Sequence, residues 1–147
     1  SLQALSNLSS PLPSELGFLT GVNRLRITDS TFSGTLPTEL GLMTSLRNIK
    51  IQNTNMRGAI PVELANITAL NELSLYKNAF TGGIPVELLD LPFFTKAAFA
   101  VNGLNGTMPL CDAENSTLTK LEVLTADCEE VDCPCCTTCC KDGVDCN

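Results

Sequence analysis

Pro13, Pro37, Pro61, Pro85 and Pro109 stand 24 residues apart, one spacing held from first to last without insertion or deletion. A fixed period of this size confines the chain to a stack of repeated units, a solenoid in which each unit buries its apolar side against its neighbours. In register, the coils run Leu12 to Thr35, Leu36 to Ala59, Ile60 to Gly83 and Ile84 to Thr107, with a fifth from Met108.

The columns of this register are apolar where a core is needed. Leu16, Leu40, Leu64 and Leu88 align, as do Leu19, Met43, Ile67 and Leu91, and then Val22, Leu46, Leu70, Phe94 and Leu118. Leu25, Ile49, Leu73, Ala97 and Leu121 follow, with Ile27, Ile51, Leu75, Phe99 and Val123 two residues on. That alternation predicts a short strand with one buried face per coil. Ser30, Thr54, Asn78 and Asn102 come next, side chains that bond backbone groups in a buried turn. Phe32, Met56, Phe80 and Leu104 point inward, and Gly34, Gly58, Gly82 and Gly106 supply a turn. Glu15, Glu39, Glu63 and Glu87, two residues after each Pro, suit the first turn of a short helix on the opposite side.

The segment LNELSLYKNAFTGGIP, Leu70 to Pro85, resembles the plant-type leucine-rich repeat, L-x-x-L-x-L-x-x-N-x-[LF]-x-G-x-[IL]-P, and the resemblance extends over Leu12 to Cys128. It implies an α/β solenoid: a right-handed coil of about five repeats, a concave parallel β-sheet, and short helices or 3-10 turns on the convex side. Residues 1–110 are expected to form the solenoid, starting mid-coil, and residues 111–147 the last coil and a Cys-rich C-terminal cap.

Seven of the eight Cys, namely Cys128, Cys133, Cys135, Cys136, Cys139, Cys140 and Cys146, cluster near the end, with Cys111 upstream. Thiolates this close suit either disulfides or a Zn or Cu(I) site. The even count favours disulfides, with Cys111 bridged to Cys128, and no metal or other cofactor is expected. The tail also resembles the Cys-rich ends of secreted leucine-rich repeat proteins predicted from diatoms and related algae. Sequons at Asn7, Asn66, Asn105 and Asn115 are candidate glycan acceptors. The first three fall in columns expected to be exposed. Asn115 falls in the apolar column of Leu19, so residues 110–117 are expected to loop outward before Leu118, Leu121 and Val123 regain the register. The chain lacks an initiator Met and a signal peptide, which reads as processing or truncation, and has no apolar run of the ~20 residues a spanning helix requires.

Net charge is −7, and residues 111–147 carry all of the excess. The strand positions facing solvent hold Arg24, Arg26, Lys50, Lys77, Lys96 and Lys120 against Asp29, Glu72 and Glu122. Beside them Tyr76, Ala98, Ala100, Val101 and Leu124 form an apolar patch. A cationic face with an apolar margin fits a protein segment or an anionic polysaccharide, such as a uronate or sulfated one. A membrane surface or nucleic acid would want a basic stripe with aromatics, which only the strand face approaches, and Tyr76 as the only Tyr, with no Trp, counts against carbohydrate stacking or a strong protein hot spot. Without His there is no Ser-His or Cys-His pair, and no Gly-rich phosphate loop occurs, so catalysis is not expected.

The reading is a secreted, extracellular or cell-wall-associated recognition module. Its alternatives are a self-assembling matrix or filament glycoprotein and, through a resemblance to plant cell-wall enzyme inhibitors, an inhibitor of a secreted hydrolase. At the N-terminal end, Ser1 and Gln3 are expected in the columns of Leu25 and Ile27. The open edge there is expected to be covered by a neighbour, with the acidic tail of another copy, packed head-to-tail, as a candidate.

Overall fold

In a computed structural model, residues 2–3, 10–107, 122–127, 131–132 and 138–140 are described. In each of the first four coils the repeat Pro caps a five-residue 3-10 helix: η1 (Ser14–Phe18), η2 (Thr38–Leu42), η3 (Val62–Asn66) and η4 (Val86–Asp90). The Pro sits at the N-cap, outside the helix proper, at φ near −60 to −70°. Its carbonyl accepts from the Leu three residues on, as in Leu40 N to Pro37 O at 3.1 Å. Glu15, Glu39, Glu63 and Glu87 lie in the first turns, where a carboxylate meets the unpaired N–H groups.

The strands form a seven-stranded parallel sheet. In order across it lie β1 (Leu2–Gln3), β2 (Arg24–Thr28), β4 (Asn48–Gln52), β6 (Glu72–Ser74), β8 (Lys96–Ala98), β11 (Val123–Asp127) and β13 (Thr138–Cys140). From β2 to β8 the pairing keeps the period, Leu25 opposite Ile49, Leu73 and Ala97 in turn. A second ladder on the far side of the turn joins β3 (Ser33–Gly34), β5 (Asn55–Gly58), β7 (Ala79–Gly82) and β9 (Gly103–Leu104). The turn glycines Gly34, Gly58, Gly82 and Gly106 have φ between +79° and +93°, the left-handed region a side chain disfavours.

Between the sheet and the 3-10 helices runs one core. Leu40, Met43, Leu46, Ile49, Ile51 and Met56 of the second coil are all fully buried, as are Ile67, Leu70, Leu73, Leu75 and Phe80 of the third. At ~1.5 to 3 kcal/mol per buried large apolar side chain, this continuous filling is the main force stacking the coils. The first coil is looser, with Leu19 41% exposed and Leu16, Val22 and Phe32 only partly buried.

Both ends depart from the expected register. Leu2 pairs with Leu25 and Gln3 with Arg26, so it is Leu2 and not Ser1 that takes the Leu25 column, and β2 is not a bare edge. At the other end Leu124 pairs with Ala97 and Thr125 with Ala98. The expectation that Val123 would continue the Ile27 column is thereby corrected: Val123 is 40% exposed opposite Lys96, and Ala126 is buried in its stead. Three extra residues separate β8 from β11 compared with the earlier coils, enough to move every later position in the strand.

The strand β12 (Val131–Asp132) pairs with β10 (Gly106–Thr107), and β13 then closes the large sheet. Cys139 and Cys140 are thus backbone members of the last strand. Their side chains, and Cys111, Cys128, Cys133, Cys135, Cys136 and Cys146 with any pairing among them, lie outside the described residues, as does the outward loop expected at 110–117.

Candidate functional site

Pairing of β2 with β4 sets Arg24 beside Asn48 and Arg26 beside Lys50, because identical columns on parallel strands project to the same face. These side chains and Glu72 line a groove of about 370 Å³ that crosses β2 at Leu25, whose own side chain is buried in the core. Lys50 Nζ lies 2.7 Å from Glu72 Oε1, and Asn48 Nδ2 donates to Glu72 Oε2 at 3.0 Å. Glu72 therefore neutralises Lys50 and orients Asn48 at once.

Arg24 and Arg26 are different. Both are exposed, and among the described residues neither has a carboxylate at ion-pair distance. The cationic character of the face is concentrated at this end of the sheet, not spread evenly along it. Lys96 reaches Glu122 at 3.9 Å, a loose and exposed pair.

Lys77 lies beyond the end of β6, in the exposed turn, with φ +57°. It shares that column with Asp29, Asn53 and Val101, all at positive φ. Asn53 Nδ2 donates to Asp29 Oδ1 at 2.6 Å, so the turn column of the first two coils is itself cross-linked. Lys120 lies outside the described residues.

The apolar patch is smaller than expected. Ala100 is fully buried, which removes it from the surface, and Leu124 occupies the register position of the inward Ala97 column. Tyr76, Ala98 and Val101 remain, each half-buried. The error has a physical source: after the strand, Phe99 and Ala100 are both drawn inward as the chain enters the turn, so alternation stops one residue sooner than a strand pattern implies.

Among the glycan candidates, Asn66 ends η3 and Asn105 precedes β10, and both side chains are exposed. Asn7 and Asn115 lie outside the described residues. Among the described residues no group of Cys, Asp and Glu is placed to hold a metal ion, and no helix is long and apolar enough to cross a membrane.

One feature that sequence reading passed over is the flank upstream of the strands. There Arg24, Arg47, Asn48, Ala69, Asn71 and Phe93 line a hollow of about 510 Å³. Its signal was present in the column Gly21, Ser45, Ala69 and Phe93, three small residues followed by an aromatic.

No protein-family model matches the chain, and no curated protein does. Solved structures do match. The plant peptide hormone receptor RGFR1, in complex with RGF2, is 32% identical over 78% of this chain and 18% of that one, at a TM-score of 0.72. The Arabidopsis receptor kinase HAESA, in complex with the peptide hormone IDA and the co-receptor SERK1, is 25% identical over 94% of this chain and 25% of that one, at 0.70. The LRR ectodomain of the receptor kinase SOBIR1 from Arabidopsis thaliana, 19% identical over 68% of this chain and 54% of that one at 0.64, agrees in fold alone. The chain spans roughly a fifth to a quarter of the first two proteins.

Proposed function

This chain is a plant-type leucine-rich repeat protein, and from that premise we propose that it is a non-catalytic, extracellular recognition module that binds an acidic protein segment along its concave sheet. The observation that carries the reading is the pair Arg24 and Arg26, two exposed guanidiniums on one strand without carboxylate partners among the described residues, beside Lys50 across a groove. Guanidiniums with no internal partner are available for bidentate bonds to carboxylates. The two receptors described above, whose structures hold peptide hormones, lend support by likeness of fold. Exposed sequons at Asn66 and Asn105 and the Cys-rich tail fit an oxidising, extracellular setting.

Panning a random peptide library on the full chain tests this. Recovered peptides are expected to be enriched in Asp and Glu, and to lose binding to the doubly reversed Arg24→Glu/Arg26→Glu protein and at high salt, where exposed charges are screened beyond ~8 Å or less. Peptides retained equally by the reversed protein would refute the concave assignment.

A further inference from the structure

The flank hollow carries chemistry that an acidic peptide does not need. Of the column Gly21, Ser45, Ala69 and Phe93, the small Ala69 and the aromatic Phe93 line it. Phe93 ends the column with a ring that is 62% exposed. The turn that presents this ring is fixed, since Asn71 Nδ2 donates to Phe93 O at 2.8 Å and to Thr95 Oγ1 at 3.0 Å.

Arg24 and Arg47 bound the concave side of the hollow, exposed and without ion-pair partners among the described residues. The two amides present the opposite polarity. With Asn71 Nδ2 committed to Phe93 and Thr95, and Asn48 Nδ2 donating to Glu72, each amide keeps its Oδ1 as an acceptor for which no donor is recorded among the described residues. The hollow thus asks for a ligand with an anionic group for the guanidiniums, hydroxyl donors for the amide oxygens, and a flat C–H face for the aromatic ring. A carboxylate alone meets only the first demand, and a peptide meets the other two only from separate residues. A sugar acid meets all three.

We propose that this flank binds a uronic acid residue of an acidic polysaccharide. Its carboxylate meets Arg24 and Arg47, its hydroxyls donate to Asn48 Oδ1 and Asn71 Oδ1, and its C–H face lies on Phe93, whose ring face is electron-rich. The site adjoins the concave groove through Arg24 and Asn48 and is otherwise separate, so Arg47 and Phe93 report on it alone.

Titration of the full chain with a short galacturonate oligomer tests the proposal, with the methyl-esterified oligomer, dextran sulfate and poly-L-glutamate as comparison probes. The galacturonate oligomer is expected to bind, and Arg47→Ala and Phe93→Ala each to weaken it about tenfold, the scale of one good contact. Phe93→Tyr should retain binding, the esterified oligomer should lose it, and Arg26→Ala should weaken it less than Arg47→Ala does while impairing peptide capture. Both altered residues are exposed, and circular dichroism checks that the variants fold. No binding of the galacturonate oligomer, affinity indifferent to Phe93→Ala, or equal binding of dextran sulfate or poly-L-glutamate that Phe93→Ala leaves untouched would overturn the proposal.

Discussion

The first two coils and the next two are built to one period but stacked by different means. After their strands the third and fourth coils carry Asn78 and Asn102. Asn78 Nδ2 donates to the carbonyls of Ile51 and Leu75 at 2.8 and 2.9 Å, and Asn102 Nδ2 to those of Leu75 and Phe99 at 2.9 and 2.8 Å. The ladder therefore ties each turn both to its own strand and to the coil before. In the earlier coils this column is Ser30 and Thr54. The Thr54 hydroxyl donates to Asn78 Oδ1, and Ser30 Oγ is buried with no partner among the described residues. On the convex side the relation reverses. A Cβ placed on Gly17 would lie 2.4 Å from Glu39 O, and one on Gly41 2.4 Å from Glu63 O, whereas the third coil accommodates a methyl at Ala65. The early coils close up through glycine on the helix side, and the later ones are bolted through amides on the turn side.

Removing a bolt should do the greatest damage. Asn78→Ala takes the amide from the Ile51 carbonyl and the Thr54 hydroxyl in a half-buried turn, and leaves the Leu75 carbonyl to Asn102 alone, which costs ~3 kcal/mol at 1 to 3 kcal/mol for each buried polar group left unmet. Urea unfolding should show a fall in midpoint of corresponding size. Native-state hydrogen exchange should locate the lost protection at β4 and β6. An effect as small as that of a surface substitution would mean that the ladder does not distinguish the halves.

Gly41→Ala probes the other device, and the expected loss is ~2 kcal/mol, the usual scale for forcing extra volume against backbone that cannot rotate away. The same added methyl is already present at Ala65, so an Ala65→Gly change should lose only the ~1 kcal/mol or less that glycine costs in a helical turn. Equal effects at the two positions, by thermal or chemical unfolding, would erase the contrast.

This asymmetry was half legible in the sequence. The substitution of Ser30 and Thr54 for Asn is visible in the column, because a column states which chemistry each coil brings. That Gly17 and Gly41 are spaced for backbone contact was not, since nothing in a residue type records how near the next coil comes. The same limit explains the site. Arg24, Arg26 and Lys50 were readable as neighbours from strand periodicity, but the capture of Lys50 by Glu72 requires knowing that side chains meet on the diagonal between adjacent strands. Registers at β1 and β11 were misjudged for a third reason. Outside the run of repeated prolines the coil length is free to change, and a change of one or three residues reassigns every inward position.

Ser30→Asn should move the early half toward the later one. By the pattern of Asn78 and Asn102, an amide at 30 bonds the carbonyl three residues back, that of Ile27, and gains ~1 kcal/mol while removing an orphaned hydroxyl. Ser30→Ala separates the two contributions. It removes the orphan without adding the bond, so it should be neutral or slightly stabilising, and a loss of stability on Ser30→Ala would show that the hydroxyl is satisfied.

The smallest effect is expected where the later half carries a flaw of its own. Val101 has φ +60°, in the column where the earlier coils place Asp29 and Asn53 at φ +53° and +50°. Asp and Asn enter the left-handed region readily because their short polar side chains bond locally, while a β-branched residue crowds its own backbone there. Val101→Asn should therefore relieve up to ~1 kcal/mol, offset in part by the contacts of a half-buried Val. Chemical denaturation of the single variant and of its combination with Ser30→Asn decides the matter: the two sites lie at opposite ends of the ladder, so their gains should add. A loss on Val101→Asn would mean that the valine's packing, and not the backbone it strains, governs that turn.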